Sequence, residues 1–220
     1  MKWLNIVNKW KIHIDNQLNS IIKQNLNIHK ARETYMKEKY RKKIYNIIRI
    51  SKCSKKCLVI GSYTGYLPLL ILLSNQNISI DVIDECRYNY VEPIINNLKQ
   101  FGNINLIKGK TIDILHTIKE KYDFIHIDGG ETSDQTWKNG AGLFSFEVLK
   151  QELEHSIRLL SLNGKLVVND TLYEFLRPLW SKTMNLYGLK IFNHKKLQDT
   201  VFHKIYTKDK DSLDVCFYTI

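Results

Sequence analysis

The chain has 220 residues, enough for one substantial hydrophobic core and too few for two comfortable ones. It is 44% hydrophobic and 25% charged, the balance of a soluble globular protein. Its longest apolar run, Leu67–Leu73, is far too short to span a bilayer. The apolar stretch Trp3–Val7 is interrupted at once by Asn and Lys and does not read as a secretory leader. Cys53 and Cys57 form a lone C-x3-C without a second half, so reduced thiols in a cytoplasmic setting are expected rather than a zinc site or a disulfide framework. The net charge of +11 is confined to one end: residues 1–57 hold 15 Lys/Arg against 3 Asp/Glu, and the remainder is near balance. That basic stretch is either a face for a polyanion or the by-product of AT-rich codons, which also favour the abundant Asn and Ile.

Residues 1–50 have the apolar spacing of helices, with Tyr35, Met36, Tyr40, Ile44, Ile47 and Ile48 on one face and Lys and Arg opposite. From Cys57 the pattern changes to short apolar runs alternating with amphipathic segments, the signature of β-α-β units and a parallel sheet. Strands are expected at Cys57–Gly61, Ile78–Asp84, Ile104–Lys108, Tyr122–Asp128 and Lys165–Asp170. The helices between them are expected near 65–75, 87–101, 111–120 and 143–160, with another near 173–186. A short run follows at Leu189–Phe192. Two alternating runs, Val201–Thr207 and Leu213–Ile220, then flank a KDKDS turn and suggest an antiparallel hairpin. The expected architecture is an α/β domain over 53–220, a Rossmann-like, mostly parallel sheet with an antiparallel edge. A basic helical extension or lid over 1–52 precedes it.

The first strand runs into Gly61-Ser62-Tyr63-Thr64-Gly65-Tyr66. The dinucleotide fingerprint requires glycine at the third and sixth positions, where Tyr63 and Tyr66 stand, and a P-loop requires a terminal Gly-Lys-Ser/Thr that is missing. Gly61 and Gly65 either make the turn and nothing more or let a ligand approach the backbone closely. Asp84 ends the second strand about twenty residues later, the usual place for a carboxylate that accepts the two hydroxyls of a ribose. A nucleoside ligand without a pyrophosphate fits both features, and S-adenosylmethionine is the obvious candidate.

From Cys57 to about Ile220 the chain resembles class I S-adenosylmethionine-dependent methyltransferases, most closely the catechol O-methyltransferase type and related metal-dependent sugar methyltransferases. The carriers are Gly-Ser-Tyr-Thr-Gly-Tyr, Asp84, the segment GKTIDIL at 109–115, YDFIHID at 122–128 and GKLVVNDT at 164–171. The resemblance implies a cofactor site at Gly61, Ser62, Tyr63, Gly65, Asp84 and Asp128. It also places Lys110, Thr111 and Ile112 along the adenine.

Asp128 and Asp170 end the fourth and fifth strands, neighbours about 4.8 Å apart in such a sheet. Two carboxylates that close repel unless a proton or a cation lies between them, and Mg²⁺ suits an oxygen-lined site of this kind. The resemblance implies metal ligation by Asp128 and Asp170, with Asn169 offering an amide oxygen because Thr171 replaces the Asn that relatives carry. The structural alternative is that Asp128 caps the Gly129–Gly130 turn and Asp170 caps the next helix. Glu131 occupies the position of the relatives' catalytic Lys and is a candidate base, an extra ligand or a solvated loop acid. His126 is read as a packed core histidine. Trp137, Phe144 and Phe146 suit either a substrate wall or the core. Tyr35, Tyr40 and Arg41 could stack on bases, although no nucleic-acid motif surrounds them.

The expected function is methyl transfer to a hydroxyl of a small molecule, Mg²⁺ assisting. The alternatives are a nucleic-acid methyltransferase gripping its substrate through the basic helices, or an inactive binding module of the same fold. No membrane partner is expected, and oligomeric state is open.

Overall fold

The computed structural model describes residues 41–62, 64–128, 146–169, 190–191 and 215–219. Five strands form the parallel body: β1 (Lys56–Ile60), β2 (Ser79–Asp84), β3 (Asn103–Lys108), β4 (Tyr122–Ile127) and β5 (Leu160–Asn169). Helices α2 (Tyr66–Ser74), α3 (Val91–Leu98), α4 (Thr111–Ile114) and α5 (Phe146–Leu159) connect them, and α1 (Arg41–Lys52) precedes β1. Two further strands, β6 (Lys190–Ile191) and β7 (Val215–Thr219), complete a seven-stranded sheet of order β3-β2-β1-β4-β5-β7-β6.

The apolar runs become central strands because both sides of each are covered. Alternate residues feed two separate cores. Cys57, Val59, Ile80, Val82, Phe124 and Val167 pack with residues of α1, α2 and α3. Leu58, Ile60, Ile83, Ile125, Ile127, Leu166 and Val168 pack with Leu115 and with Leu153 and Ile157 of α5. The domain is thus a three-layer α/β/α sandwich, as the alternation of runs predicts. Ile47, Ile48 and Ile50 of α1 belong to the first core, so this part of the basic extension is built into the sheet domain. Asn75 fastens it there, donating from Nδ2 to the carbonyls of Ser51 and Ser54 at 2.9 and 2.8 Å.

Three elements differ from the sequence expectation, each for a physical reason. The helix expected over 87–101 starts at Val91, because Cys86 takes a left-handed backbone (φ 53) in the turn after Asp84. The helix expected over 111–120 closes after one turn at Ile114. The Arg158 guanidinium reaches across from the end of α5 and takes the carbonyls of Leu115 and Ile118 at 2.8 and 3.0 Å. Those carbonyls are therefore satisfied without helical continuation. Strand β5 begins five residues early: Leu160 pairs with Tyr122 and Lys165 with Phe124, so 161–164 bulge from the ladder. Strand β7 lies between β5 and β6, antiparallel to both, and forms the antiparallel edge that the sequence predicts. The run 201–207, its expected hairpin partner, lies outside the described residues, as does the helix expected at 173–186.

At the amino edge of the sheet, polar groups bind the strands together. Tyr122 donates its hydroxyl to Asp81 at 2.9 Å, and Lys56 bridges Asp81 and Glu120. Burial, then the Asp81 carboxylate, pushes the Tyr122 phenol far above its ordinary range. Asp123 accepts the backbone N–H groups of Lys55 and Lys56 and the Ser161 hydroxyl. Burial alone would raise its carboxyl, but these donors outweigh burial and hold it below the usual carboxylate range.

On α5, His155 faces His116 with ring centroids 6.5 Å apart. Burial, then Arg158, then His116 lowers the His155 pKa, and Glu154 opposes the shift. The folded state therefore takes up this proton less readily than the unfolded chain, whose value is about 6.5. The stabilisation is complete above that value and is lost as pH falls through the depressed folded value. Replacing His155 with Gln is expected to flatten the fall in melting temperature between pH 7 and pH 5, measured by thermal unfolding across that range.

Candidate active site

One row of residues crosses the sheet in register: Ile107, Ile83, Ile60, Ile127 and Val168 are successive neighbours from β3 to β5. The next residues along the five strands are therefore brought to a common edge. They are Lys108, Asp84, Gly61, Asp128 and Asn169. Three of the predicted site residues, Gly61, Asp84 and Asp128, stand side by side in that set, each half-buried. The edge is the carboxyl end of a parallel sheet. Between β1 and β4 the chain order reverses, which creates the crevice where open α/β sheets bind ligands.

The crevice floor is the contact between Gly61 and Asp128. Gly61 has φ 77, and a Cβ placed on it would lie 2.3 Å from the Asp128 carbonyl oxygen. Its N–H donates to the Ile83 carbonyl and the Asp128 N–H to the Ile60 carbonyl, both at 2.9 Å. A side chain at Gly61 is thus refused by the backbone of β4 itself, a reason for glycine that a turn alone would not supply. Gly65 has φ 67, and a Cβ there would meet Ile94 of α3 at 2.4 Å. This second glycine allows close packing of the turn against α3.

Among the described residues, donors from Ser62 and Cys86 hold Asp84. Its Oδ2 accepts the Ser62 N–H at 2.8 Å and the Ser62 hydroxyl at 2.9 Å, and its Oδ1 accepts the Cys86 N–H at 2.7 Å. The left-handed Cys86 is what turns that N–H back toward the carboxylate. The Gly109 N–H donates to the Asp84 carbonyl at 3.0 Å and ties the β3 tip to the same corner. Ser62 is buried and its hydroxyl proton goes to Asp84, so the structure gives it the task of orienting that carboxylate. Burial, then the nearby Asp84 carboxylate, pushes the Cys86 thiol up to about 11. At neutral pH it stays a thiol and offers no nucleophile.

Thr111 opens α4 just beyond β3 and is half-buried. Its hydroxyl donates to Oε1 of Glu152 on α5 at 2.5 Å. Glu152, 2% exposed, is a buried acid that the sequence reading passed over. It lies on the apolar stripe of α5, beside Leu153 and one turn before Ser156 and Ile157, all buried. An acid at helical spacing within such a stripe is the signal that could have found it.

Tyr63, Glu131 and Asp170 lie outside the described residues, as do Trp137, Phe144, Tyr35 and Tyr40. Phe146 begins α5 and Arg41 begins α1. Asn169 closes β5, one step beyond the pair Ile127–Val168 and so level with Asp128. Among the described residues no three His, Cys, Asp or Glu side chains gather as a metal cluster. His126 is buried in β4 between Val59 and Val167, as its reading as a core histidine requires. Cys57 is buried and Cys53 exposed, and burial raises the Cys57 thiol well above its ordinary value. Among the described residues no helix is long and apolar enough to cross a membrane.

No protein-family model matches this chain, and no curated protein matches it in sequence. Solved structures do match in fold. The O-methyltransferase TomG from Streptomyces achromogenes, in complex with S-adenosylmethionine, superposes with a TM-score of 0.55 at 13% identity, covering 81% of this chain and 78% of that one. The N-methyltransferase NodS from Bradyrhizobium japonicum, in complex with S-adenosylhomocysteine, gives 0.52 at 10% identity over 84% of this chain and 88% of that one. An O-methyltransferase family protein from Burkholderia thailandensis gives 0.52 at 10% identity over 93% of this chain, which spans 63% of that protein. The fold of this chain is therefore the Rossmann-like fold of class I S-adenosylmethionine-dependent methyltransferases, as the order of its motifs predicts.

Proposed function

We propose that the protein is an S-adenosylmethionine-dependent methyltransferase acting on a hydroxyl of a small molecule. The observation that carries this reading is the alignment of Gly61, Asp84 and Asp128 at the switch-point edge, with Asp84 already oriented by Ser62 and Cys86. An acidic carboxylate held at the tip of the second strand is suited to a ribose diol, and the absence of a phosphate cradle favours a nucleoside without phosphates. The cofactor supplies a methyl group activated on a sulfonium.

The chain's own contribution is placement. Asp84 would accept the ribose hydroxyls, and the bare backbone of Gly61 would let the ligand lie against the β1 tip. With the ribose over β2, the sulfonium end would lie toward Asp128 and the base toward Thr111. Asp128 would then face the acceptor, whose oxygen must sit in line with the bond being broken; holding that geometry accounts for most of the expected rate. Glu131, beyond the described residues, is the proposed base for the hydroxyl proton.

Asp128, level with Asn169, is the described part of a proposed Mg²⁺ site whose second carboxylate is Asp170. Bound there, the ion would lower the acceptor hydroxyl's pKa.

Titration calorimetry with S-adenosylhomocysteine on the full chain tests the cofactor reading. Saturable heat with a ligand-dependent rise in melting temperature is expected; absence of both sinks it. Added Mg²⁺ and its removal by EDTA, read in the same thermal scan, test the metal. Transfer of a labelled methyl to hydroxylated small molecules rather than to RNA or DNA tests the acceptor class.

A further inference from the structure

We infer that the amino edge of the sheet, opposite the proposed cofactor edge, docks on an anionic lipid surface. Leu162 is its apolar prong, and exposed cations of the segments that enter β1, β4 and β5 are its charged contacts. The inference is independent of the cofactor reading. It revises the expectation from sequence that there is no membrane partner, because contact with a headgroup layer needs no spanning helix.

A single exposed leucine is ordinary on a protein surface, but Leu162 has an unusual setting. It is 82% exposed, the one large hydrophobic residue so placed among the described residues. It belongs to the 161–164 bulge, and the bulge holds it outward. Ser161 donates its hydroxyl to Asp123 at 3.0 Å, which fixes one side. Leu160 turns into the second core. A Cβ on Gly164 would lie 2.8 Å from both Leu160 Cγ and the Ser161 carbonyl oxygen, so the chain folds back too tightly for any side chain there. Leu162 thus projects from a fixed support, and its insertion would cost little ordering.

The segments that enter β1, β4 and β5, three neighbouring strands, all meet at this edge. They bring Lys52, Lys55, Lys119, Lys121 and Arg158, all exposed and none in an ion pair among the described residues. The acids here are already engaged. Asp81 accepts the Tyr122 hydroxyl, Asp123 accepts the Lys55 and Lys56 N–H groups, and Glu120 is bonded to Lys56. The charge left over is positive and lies along the same edge as Leu162. Cations beside an apolar tip match anionic headgroups above acyl chains. Nucleic acid would call instead for exposed rings to stack on bases. The aromatics at this edge, Tyr122 and Phe101, pack with the two cores. The cofactor edge lies at the other end of the strands, roughly 20 Å away, and stays open when this edge is docked.

Co-sedimentation of the full chain with lipid vesicles tests the inference. Binding is expected to vesicles with about one third phosphatidylserine and not to pure phosphatidylcholine, and it should weaken as salt is raised. Lys55→Gln combined with Lys119→Gln is expected to lower the partition coefficient by about tenfold or more, since each lysine near such a surface contributes about fivefold. Leu162→Ser is expected to lower it by about fivefold, and by a similar factor at high salt, where the lysine effect fades. Leu162→Phe, a larger prong, should bind more tightly. All three positions are exposed, so the variants should melt close to the wild type. Wild-type binding retained by Leu162→Ser or by the lysine variant would overturn the inference. So would a wild type indifferent to phosphatidylserine, or one that binds RNA and not vesicles.

Discussion

Asp84→Ala is expected to weaken S-adenosylhomocysteine binding by about a hundredfold or more, from the loss of hydrogen bonds to a charged acceptor. The same change should leave the protein folded. The carboxylate is half-buried at the sheet edge, and neither core includes it. Its removal strands the Ser62 and Cys86 N–H groups, which is expected to lower stability by roughly 1–3 kcal/mol. Calorimetry beside far-ultraviolet circular dichroism separates the two effects. Unchanged affinity in a folded Asp84→Ala protein would mean that the ligand does not use the β2 tip, and the proposed orientation of the cofactor would be wrong.

Gly61→Ala should act on the fold first. The left-handed backbone costs a non-glycine residue about 1–2 kcal/mol, and the new methyl would meet the Asp128 carbonyl oxygen, which as main chain cannot swing aside. Overpacking of that kind adds about 1–3 kcal/mol. A combined loss of roughly 2–5 kcal/mol is a large part of the stability of a domain this size. Urea unfolding should show a lower midpoint, and any protein that remains folded should have lost cofactor affinity, since the β1 and β4 tips must part. A change at Gly65 works by another route, against the Ile94 side chain rather than main chain. If Gly61→Ala unfolds at the wild-type midpoint, the close approach of the two strand tips is not a constraint on the protein.

How much of this was legible in the residues depends on how local the cause was. The five parallel strands could be read because each is an apolar run with its own boundaries, and the carboxyl tips then put Asp84 and Asp128 on one edge. The glycine turn could be read, but not what each glycine avoids. Gly61 answers to a carbonyl 67 positions later and Gly65 to a side chain on the next helix. The single turn of α4 was hidden because the group that satisfies its carbonyls is Arg158, more than forty positions from Leu115. The early start of β5 depends on its pairing with Tyr122, and the place of β7 between β5 and β6 depends on long-range pairing as well. Glu152 escaped because a helix is recognised by its apolar members, and an acid among them looks like noise until its partner is known. Ser62 could be read as part of the glycine turn, but its hydrogen bonds to Asp84 need the fold.

The Ser62 and Cys86 donors around Asp84 have a consequence for the thermodynamics of binding. A carboxylate on a flexible side chain must normally surrender rotational freedom when a ligand arrives, and that loss subtracts from affinity. Here the rotamer is already set by Ser62 from one side and by the Cys86 N–H from the other. The entropy of ordering this side chain is thus charged to folding rather than to association. The corner is ordered in advance, and a ligand using the β2 tip would meet a fixed surface rather than one that must be organised.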